Sequence, residues 1–329
     1  YYLAIGSDAH DAVNNILDEK GFDTSDGMDK NGDDQKVYKF HQNETDTTTY
    51  AYSDVNTGVK ITNQFEEADL NYYGKDMVTY LTRNDWQGTY PTPYKDLTAT
   101  EEMIHDLQFN YEADNSVPDI VTGSKDTAYS VVMMRGLDYD NPLWQDLLDQ
   151  MTLEEMANAV GYAGYRGAGI DSVALPTTRH NDGPQGISGG FGQKTKIAYT
   201  SEVVMASTYN TDIMHNIGLS MGEDALRMEG DSPFCGWYGP AINIHRTPYC
   251  GRNFEYFSED GFLSGKMVAR EIEGAQSMGL CSFVKHFALN DFETNRQSAA
   301  TFNNEQAIRE IYLKPFEYAV KDGGTGGIM

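Results

Sequence analysis

From Pro142 onward, the apolar residues follow two patterns in turn, helical spacing and short unbroken runs. Ile213, Ile217, Met221 and Ala225 recur every four residues, which predicts a helix over 210–229. The apolar run 280–284 predicts a buried strand. The same patterns predict further helices over 152–160, 263–278 and 307–320 (the last interrupted by Pro315), and strands over 237–244 and from 323 to the end. Alternating strands and helices are typical of an α/β fold.

The first ~135 residues differ from the rest of the chain in their pattern of apolar and polar residues. Thr, Tyr and Val alternate with polar residues over 37–61, which favours short antiparallel strands. A strand over 2–6 and helices over 10–20 and 100–107 are also predicted. The acidic stretch 23–34 lacks the Asp–Gly spacing of an EF-hand calcium loop, so we interpret it as a solvated turn.

A charged segment follows the predicted strand 280–284 directly. It carries Lys285, His286, Glu293 and Arg296 within a dozen residues. In an α/β barrel, polar residues at the carboxyl end of a strand lie where binding and chemistry take place. The alternative is that these side chains only cap the strand.

Two further segments bear on the interpretation of this charged segment. The first is 239–248, which continues into Gly251-Arg252-Asn253-Phe254-Glu255-Tyr256-Phe257-Ser258-Glu259-Asp260; the second is Asn181-Asp182-Gly183-Pro184-Gln185-Gly186-Ile187. In this order and at these separations, the three segments resemble the barrel domain of glycoside hydrolase family 3, the β-glucosidase family. The resemblance extends from about Pro142 to the end, and 151–155 resembles the first helix of that domain.

The resemblance implies a (β/α)8 TIM-like barrel and a sugar site. Asp182, Arg252, Lys285 and His286 match the positions where the family binds the glycone. An aspartate accepts from hydroxyls, while arginine and lysine donate to them. Two interpretations remain open for Glu293 and Arg296. Either they orient Lys285 and His286 without binding the sugar themselves, or they form an ordinary ion pair within the loop. In the same motif, Glu255 and Glu259 support the Arg252 loop. Two interpretations remain open for Tyr249, Tyr256 and Trp237: they stack on a sugar face, or they belong to the core, as buried aromatics in a barrel more often do.

This chain departs from the family pattern at two points, one substituted position and the absence of identifiable catalytic carboxyl groups. Ser188 stands where many members have an arginine that binds the sugar. The nucleophilic aspartate is expected beyond Met329, and the acid/base glutamate in a second, α/β-sandwich domain. No catalytic residue is therefore identified within the chain. Segment 290–296 lacks the Gly/Asp-rich loop with a catalytic histidine that marks the N-acetylglucosaminidase branch.

The order of the parts resembles the inverted subgroup of the family. There the sandwich and its β-rich appendage precede the barrel. Residues 1–135 are then the tail of an upstream α/β-sandwich and β-rich region with a linker. Residues 136–329 are an incomplete barrel of about the first five units.

The composition of the chain limits the classes of ligand and cofactor that it is expected to bind. The formal charge of −26 argues against nucleic acid and suits a neutral sugar. The three cysteines lack the spacing of a disulfide framework or a zinc site, and neither a metal nor an organic cofactor is implied. No membrane anchor is visible, because no apolar run reaches the ~18 residues of a membrane helix.

The expected function is retaining hydrolysis of terminal β-linked glucosyl or related residues. The substrate is a β-linked oligosaccharide or an aryl glycoside, and this chain carries the half-site for the glycone. Two rivals remain: a β-xylosidase or arabinosidase of the same family, and a non-catalytic carbohydrate-binding relative.

Overall fold

The computed structural model of the protein describes residues 1–41, 54–60, 62–80, 96–108, 112–119, 121–123, 125–126, 128–187, 197–227 and 233–329. Two units are distinguished, Tyr1–Asn110 with Phe302–Glu305, and Tyr111–Thr301 with Gln306–Met329. The described helices are α1 (Ala9–Glu19), α2 (Asp54–Thr57), α3 (Leu70–Tyr73), α4 (Glu101–Leu107), α5 (Leu143–Leu148), α6 (Leu153–Gly161), α7 (Glu202–Ala206), α8 (Thr211–Leu226), α9 (Gly261–Ser277), α10 (Glu305–Ala307) and α11 (Lys314–Lys321). The described strands are β1 (Tyr2–Ala4), β2 (Val37–Lys39), β3 (Arg166–Gly167), β4 (Thr178–Asp182), β5 (Gly236–Tyr238), β6 (Cys281–Val284) and β7 (Gly327–Ile328).

In the first unit, α1 packs beside a two-stranded antiparallel sheet. Strands β1 and β2 pair with Leu3 opposite Tyr38. The Asp8 side chain caps α1 by accepting from the backbone N–H of Asp11 at 2.8 Å. Buried Asn15 donates to the Ile5 carbonyl at 2.8 Å, which ties the helix to the segment after β1. The predictions of the first strand and helix, and of the helix over 100–107, are confirmed.

The predicted strands over 37–61 are confirmed only at β2. Residues 42–53 lie outside the described part of the chain, and at 54–57 the prediction is wrong, because the chain forms the single-turn helix α2. The N–H of Gly58 donates to the Asp54 carbonyl at 2.8 Å, and the glycine has a positive φ of 69°. A glycine in the left-handed region ends a helical turn at low cost, so a local signal overrides the β-propensity of the neighbouring residues.

The second unit is built on a five-stranded sheet in the order β3-β4-β5-β6-β7. Strand β3 is antiparallel to β4, and β4 to β7 are parallel. Helices α7 and α8 lie between β4 and β5 in the sequence, α9 between β5 and β6, and α10 and α11 between β6 and β7. This alternation of parallel strands and helices is the α/β architecture that the sequence predicts.

The core of the second unit lies between the sheet and its helices. Met214 on α8, Ile272 on α9 and Val284 on β6 belong to one buried apolar cluster. Asn210 caps α8, and Thr152 and Glu155 form the predicted capping box of α6 in both directions. The helices predicted over 152–160, 210–229 and 263–278 and the strands predicted over 280–284 and near the end are confirmed.

Two predicted elements differ in detail, and one observed strand is not predicted. Strand β5 is regular only to Tyr238, because Pro240 has no N–H to donate; pairing with the next strand resumes as a bridge between Ala241 and Lys285. The helix predicted over 307–320 is two pieces with a π-helical turn at Ile308–Tyr312 between them, and Pro315 lies in the first turn of α11, where a proline is tolerated. Strand β4 is not predicted from the sequence, because it contains no apolar run.

In the described part of the chain, no helix is both long enough and apolar enough to span a membrane.

Candidate functional site

The candidate residues come together at the carboxyl ends of three neighbouring parallel strands. Asp182 is the last residue of β4, Lys285 follows β6 directly, and Arg252 lies in the loop after β5. The register pairs Asp182 with Tyr238 of β5, so β4 and β6 end at the same edge of the sheet. Parallel strands thus bring together residues that are 103 positions apart in the sequence.

A buried ion-pair network links four of these side chains. The ammonium Nζ of Lys285 donates to Asp182 Oδ1 at 2.5 Å and lies 3.6 Å from Glu255 Oε2. The other oxygen of Glu255, Oε1, accepts from Nε of Arg252. Lys285 and Glu255 are each 1% exposed, so the network balances two buried charges of opposite sign. This geometry agrees with the expectation that Glu255 supports the Arg252 loop.

Asp182 is the most exposed member of the network, with 35% of its side chain exposed against 19% for Arg252. Its Oδ1 also accepts from the N–H of Gly183 at 2.8 Å. These two donors fix the carboxylate, and Oδ2 has no partner among the described residues. An oriented carboxylate oxygen of this kind can accept from the hydroxyl of a polar, uncharged ligand.

His286 lies beside this network with its backbone and its ring both held. Asn243, which is buried, accepts from the N–H of His286 at 2.8 Å and donates to the carbonyl of His286 at 2.9 Å. The peptide bond between Lys285 and His286 is cis. The imidazole Nδ1 lies 3.2 Å from Tyr256 Oη, while Nε2 is buried without a hydrogen-bond partner in the described residues.

The imidazole of His286 is neutral at physiological pH. Burial, together with the positive charges of Arg252, Lys285 and Arg296, lowers the pKa of His286 to about 3. A neutral imidazole carries one proton on one of its two nitrogens. Nε2 can therefore serve as a donor or an acceptor to a ligand, but the ring does not supply a positive charge.

Glu293 and Arg296 lie next to this histidine but do not touch it. Glu293 Oε2 accepts from Arg296 Nη1 at 3.1 Å, and Oε1 accepts from Asn290 Nδ2 at 2.9 Å. Asn290 Nδ2 also donates to Tyr256 Oη at 2.8 Å. The pair is thus a loop ion pair, and it is also joined to His286 through Asn290 and Tyr256.

Sequence reasoning missed several residues that hold the site together. Asn243 gave one signal, because it is a polar residue in an otherwise apolar run between Ala241 and Ile244. Gln185 gave none that is visible locally: its Nε2 donates to Glu202 Oε2 at 2.5 Å and to the carbonyl of Phe254 at 2.6 Å. It therefore joins the loop after Asp182 to the loop that carries Arg252. Ser188 lies outside the described residues.

Searching the described residues gives no group of three or more His, Cys, Asp or Glu side chains arranged to hold a metal ion. The chemistry that the site offers is hydrogen bonding: an oriented carboxylate, a buried ammonium, a guanidinium and a neutral imidazole. This set suits a ligand that offers several hydroxyls in fixed positions, since each hydroxyl can both donate and accept.

Comparison with known proteins identifies the family to which the chain belongs. The family model described as the glycosyl hydrolase family 3 N-terminal domain matches residues 150–329. That is more than half of the chain, and the chain therefore belongs to glycosyl hydrolase family 3. This domain is an α/β fold of the TIM-barrel type, as the sequence predicts.

Individual relatives agree. The chain is 41% identical to beta-glucosidase A of Butyrivibrio fibrisolvens over 191 residues, which are 55% of this chain and 22% of that protein. A beta-glucosidase structure from Kluyveromyces marxianus is 30% identical with a TM-score of 0.50 and covers 57% of this chain and 22% of its own. One from Paenibacillus barengoltzii is 25% identical with a TM-score of 0.53 and covers 71% and 25%. The chain spans about a fifth of the length of the curated relatives it matches.

Proposed function

We propose that this chain carries the glycone-binding half-site of a retaining β-glucosidase. The observation that supports the proposal most directly is the 2.5 Å bond between Lys285 Nζ and Asp182 Oδ1. It joins the ends of β4 and β6 and leaves an oriented carboxylate oxygen at the surface. Relatives of 34–41% identity bear the name beta-glucosidase, which supports the choice of sugar.

In this proposal the sugar lies over Asp182, which accepts from one or two hydroxyls. Arg252, Lys285 and His286 bind neighbouring oxygens, and Lys285 also holds the Asp182 carboxylate in place through their hydrogen bond. The substrate is a terminal β-linked glucosyl residue of an oligosaccharide or aryl glycoside. Interactions with hydroxyls that strengthen as the ring distorts contribute to lowering the barrier of glycoside hydrolysis.

The catalytic carboxyl groups belong, in this proposal, to other parts of the full-length protein. Retaining hydrolysis needs a nucleophile and an acid/base roughly 5–5.5 Å apart. We assign the nucleophile to an aspartate beyond Met329 and the acid/base to a glutamate of a sandwich domain. Residues 1–135 are then the tail of upstream domains with a linker, and 136–329 about the first five units of the barrel.

The test is hydrolysis by the full-length protein of aryl β-glucosides, β-xylosides and arabinosides, with Asp182→Asn as the site variant. We expect the glucoside to be preferred. Loss of a charged hydrogen bond costs about 1.5–3 kcal/mol, so Asp182→Asn should lower kcat/KM roughly ten- to a hundred-and-fifty-fold. Asp212→Asn is the control, because Asp212 is 87% exposed on α8.

Each other outcome favours a different function. Preference for the xyloside or arabinoside would replace glucosidase by its family rival. Sugar binding without turnover of any glycoside would favour a non-catalytic binding protein. Equal kinetics for Asp182→Asn and wild type would contradict the assignment of the site.

A further inference from the structure

Four residues connect the surface of the second unit to the imidazole of His286 through hydrogen bonds. Arg296 donates to Glu293 at 3.1 Å, and Asn290 donates to the other oxygen of Glu293 at 2.9 Å. Asn290 also donates to Tyr256 Oη at 2.8 Å, and Tyr256 Oη lies 3.2 Å from His286 Nδ1. We call this set the orienting chain: Arg296, Glu293, Asn290 and Tyr256.

The direction of the hydrogen bonds can be worked out from the outer end inward. A carboxylate paired with Arg296 has no hydrogen to donate, so the atom of Asn290 that faces Glu293 is the amide nitrogen. The same nitrogen faces Tyr256 Oη, so the tyrosine oxygen is the acceptor there. The order of donors along the orienting chain is thereby fixed as far as the tyrosine.

The hydroxyl hydrogen of Tyr256 then decides the state of His286. Tyr256 is 1% exposed, and the only other partner of its Oη among the described residues is His286 Nδ1. If the hydroxyl donates to Nδ1, the Nε2–H of His286 is the one polar group of the Tyr256 and His286 side chains without a partner among the described residues. If Nδ1 carried the proton, the hydroxyl hydrogen and Nε2 would both be buried and unpaired, and the additional unpaired group disfavours that form roughly tenfold or more.

We propose that the orienting chain holds His286 with its proton on Nε2. Nε2 is the ring atom that is buried without a partner in the described structure. The imidazole is then a donor toward the ligand, and it selects an oxygen that accepts. Asp182 is an acceptor. The two residues therefore distinguish a sugar hydroxyl that donates, which binds Asp182, from one that accepts, which binds His286.

The inference gives Glu293 and Arg296 a role in positioning. They do not reach the ligand but set the orientation of Asn290, which makes Tyr256 a donor. It rests on the proposed function for the identity of the ligand, a sugar oxygen. The proton position itself is a property of the protein without ligand.

The decisive measurement is the protonation of the His286 ring in the full-length protein without sugar. Histidine labelled with 15N distinguishes the two tautomers, and His286→Gln identifies the signal of His286 among those of the other histidines. We expect a neutral ring with the proton on Nε2 in the wild type. Tyr256→Phe removes the donor to Nδ1 and should give a mixture of tautomers.

Tyr199→Phe is the control, because it also removes a tyrosine hydrogen bond, in which the partly buried Tyr199 Oη donates to Asp224 at 3.0 Å. It should leave the His286 tautomer unchanged. A wild-type proton on Nδ1, or the same tautomer in Tyr256→Phe as in wild type, would overturn the inference. The wild-type result is informative even if Tyr256→Phe does not fold.

Kinetics on an aryl β-glucoside give the functional consequence. Tyr256→Phe should lower kcat/KM about tenfold, and Tyr199→Phe should not. Replacing in turn each sugar hydroxyl by fluorine, which accepts but cannot donate, or by hydrogen should reveal one position. At that position, we expect the wild type to have a higher kcat/KM with the fluoro sugar than with the deoxy sugar. We expect His286→Gln to show no such difference. A proton on Nε2 in a protein that hydrolyses no glycoside would contradict the proposed function while supporting this inference.

Discussion

Lys285 is the residue on which the charges of the candidate site balance. Its ammonium group is buried between Asp182 and Glu255, and Glu255 is itself buried. A buried charge without a partner is costly, so each member of such a network depends on the others. At the scale of single residues, the stability of the protein and the orientation of Asp182 are therefore coupled through the side chain of Lys285.

Replacing Lys285 by methionine should destabilise the protein by about 3–5 kcal/mol, because two carboxylates lose their shared cation. The control is Lys266→Met. Lys266 also pairs with an aspartate, Asp322 at 2.7 Å, but both side chains are about 40% exposed. An exposed pair contributes less than about 1 kcal/mol. Urea titrations give the free energies of unfolding; similar losses for the two variants would contradict the buried network.

At the scale of elements, α8 and α9 pack closely because glycines face the partner helix at their crossing. A Cβ on Gly218 would overlap the carbonyl oxygen of Glu271, and one on Gly274 would overlap the carbonyl oxygen of His215. The hydrophobic core that supports β6 and the site depends on this approach, since both helices contribute to the same buried cluster.

Gly218→Ala should therefore destabilise the protein by about 1–3 kcal/mol through overpacking. Gly161→Ala, at the last residue of α6, is the matched control, because nothing lies within 4 Å of the added Cβ. It should be neutral or stabilising by up to about 1 kcal/mol. Thermal unfolding of both variants tests this, and an unchanged Tm for Gly218→Ala would argue against the close helix crossing.

Helices α7 and α9 each bury a carboxyl group. Burial raises the pKa of Glu202 to about 8, although a hydrogen bond from Gln185 opposes the shift. Burial, with the nearby charge of Glu202, raises the pKa of Glu271 well above its usual range. Since both pKa values are higher in the folded state, folding takes up protons. The contribution of the two groups to the free energy of unfolding is therefore highest below pH 4.5, where both are protonated in either state. It falls as the pH rises, for Glu202 until about pH 8.

Glu271→Gln removes one of these protonations while keeping the shape. Between pH 5 and 8, we expect the variant to lose less stability than wild type, by up to about 1.4 kcal/mol per pH unit. Glu273→Gln on the same helix is the control, because Glu273 is 51% exposed. The measurement is denaturant unfolding at several pH values. Parallel profiles for Glu271→Gln and wild type would refute this account of the buried pair.

At the scale of the whole molecule, the described carboxylates around the site are engaged with cations. Asp182 is bound to Lys285, Glu255 to Arg252 and Glu293 to Arg296. An ion-paired carboxylate is a poor nucleophile, and retaining hydrolysis needs two carboxyl groups with distinct roles. In our proposal these carboxylates serve in binding the sugar, and the groups that cleave it belong to other parts of the full-length protein.

We expect the purified 329-residue chain to hydrolyse an aryl β-glucoside only at the background rate, and the full-length protein to hydrolyse it readily. Product release by both proteins at equal molar concentration is the measurement. Clear turnover by the pure chain would contradict the assignment of the catalytic groups to other parts of the protein. It would point to Asp291, because burial raises the pKa of this carboxyl to about 6, suitable for a general acid.

The sequence by itself determined what local interactions decide. The spacing of apolar residues placed α8 and α9, and the pairing of Thr152 with Glu155 fixed the start of α6. Such signals lie within one or two helical turns, so they can be read without knowing the fold. The motifs around Asp182, Arg252 and Lys285 also indicated the family, and the match over residues 150–329 confirms it.

The tertiary structure alone decided how those residues meet. Strand β4 is polar along its length. It is a strand because it pairs with β3 and β5, and the parallel pairing with β5 places Asp182 beside Lys285. The contacts of Gln185 with Glu202, and of Tyr256 with His286, join residues 17 and 30 positions apart. These contacts depend on strand register and on the course of loops, which non-local packing sets. The sequence therefore supplied the chemical groups, and the parallel sheet determined which of them form a site.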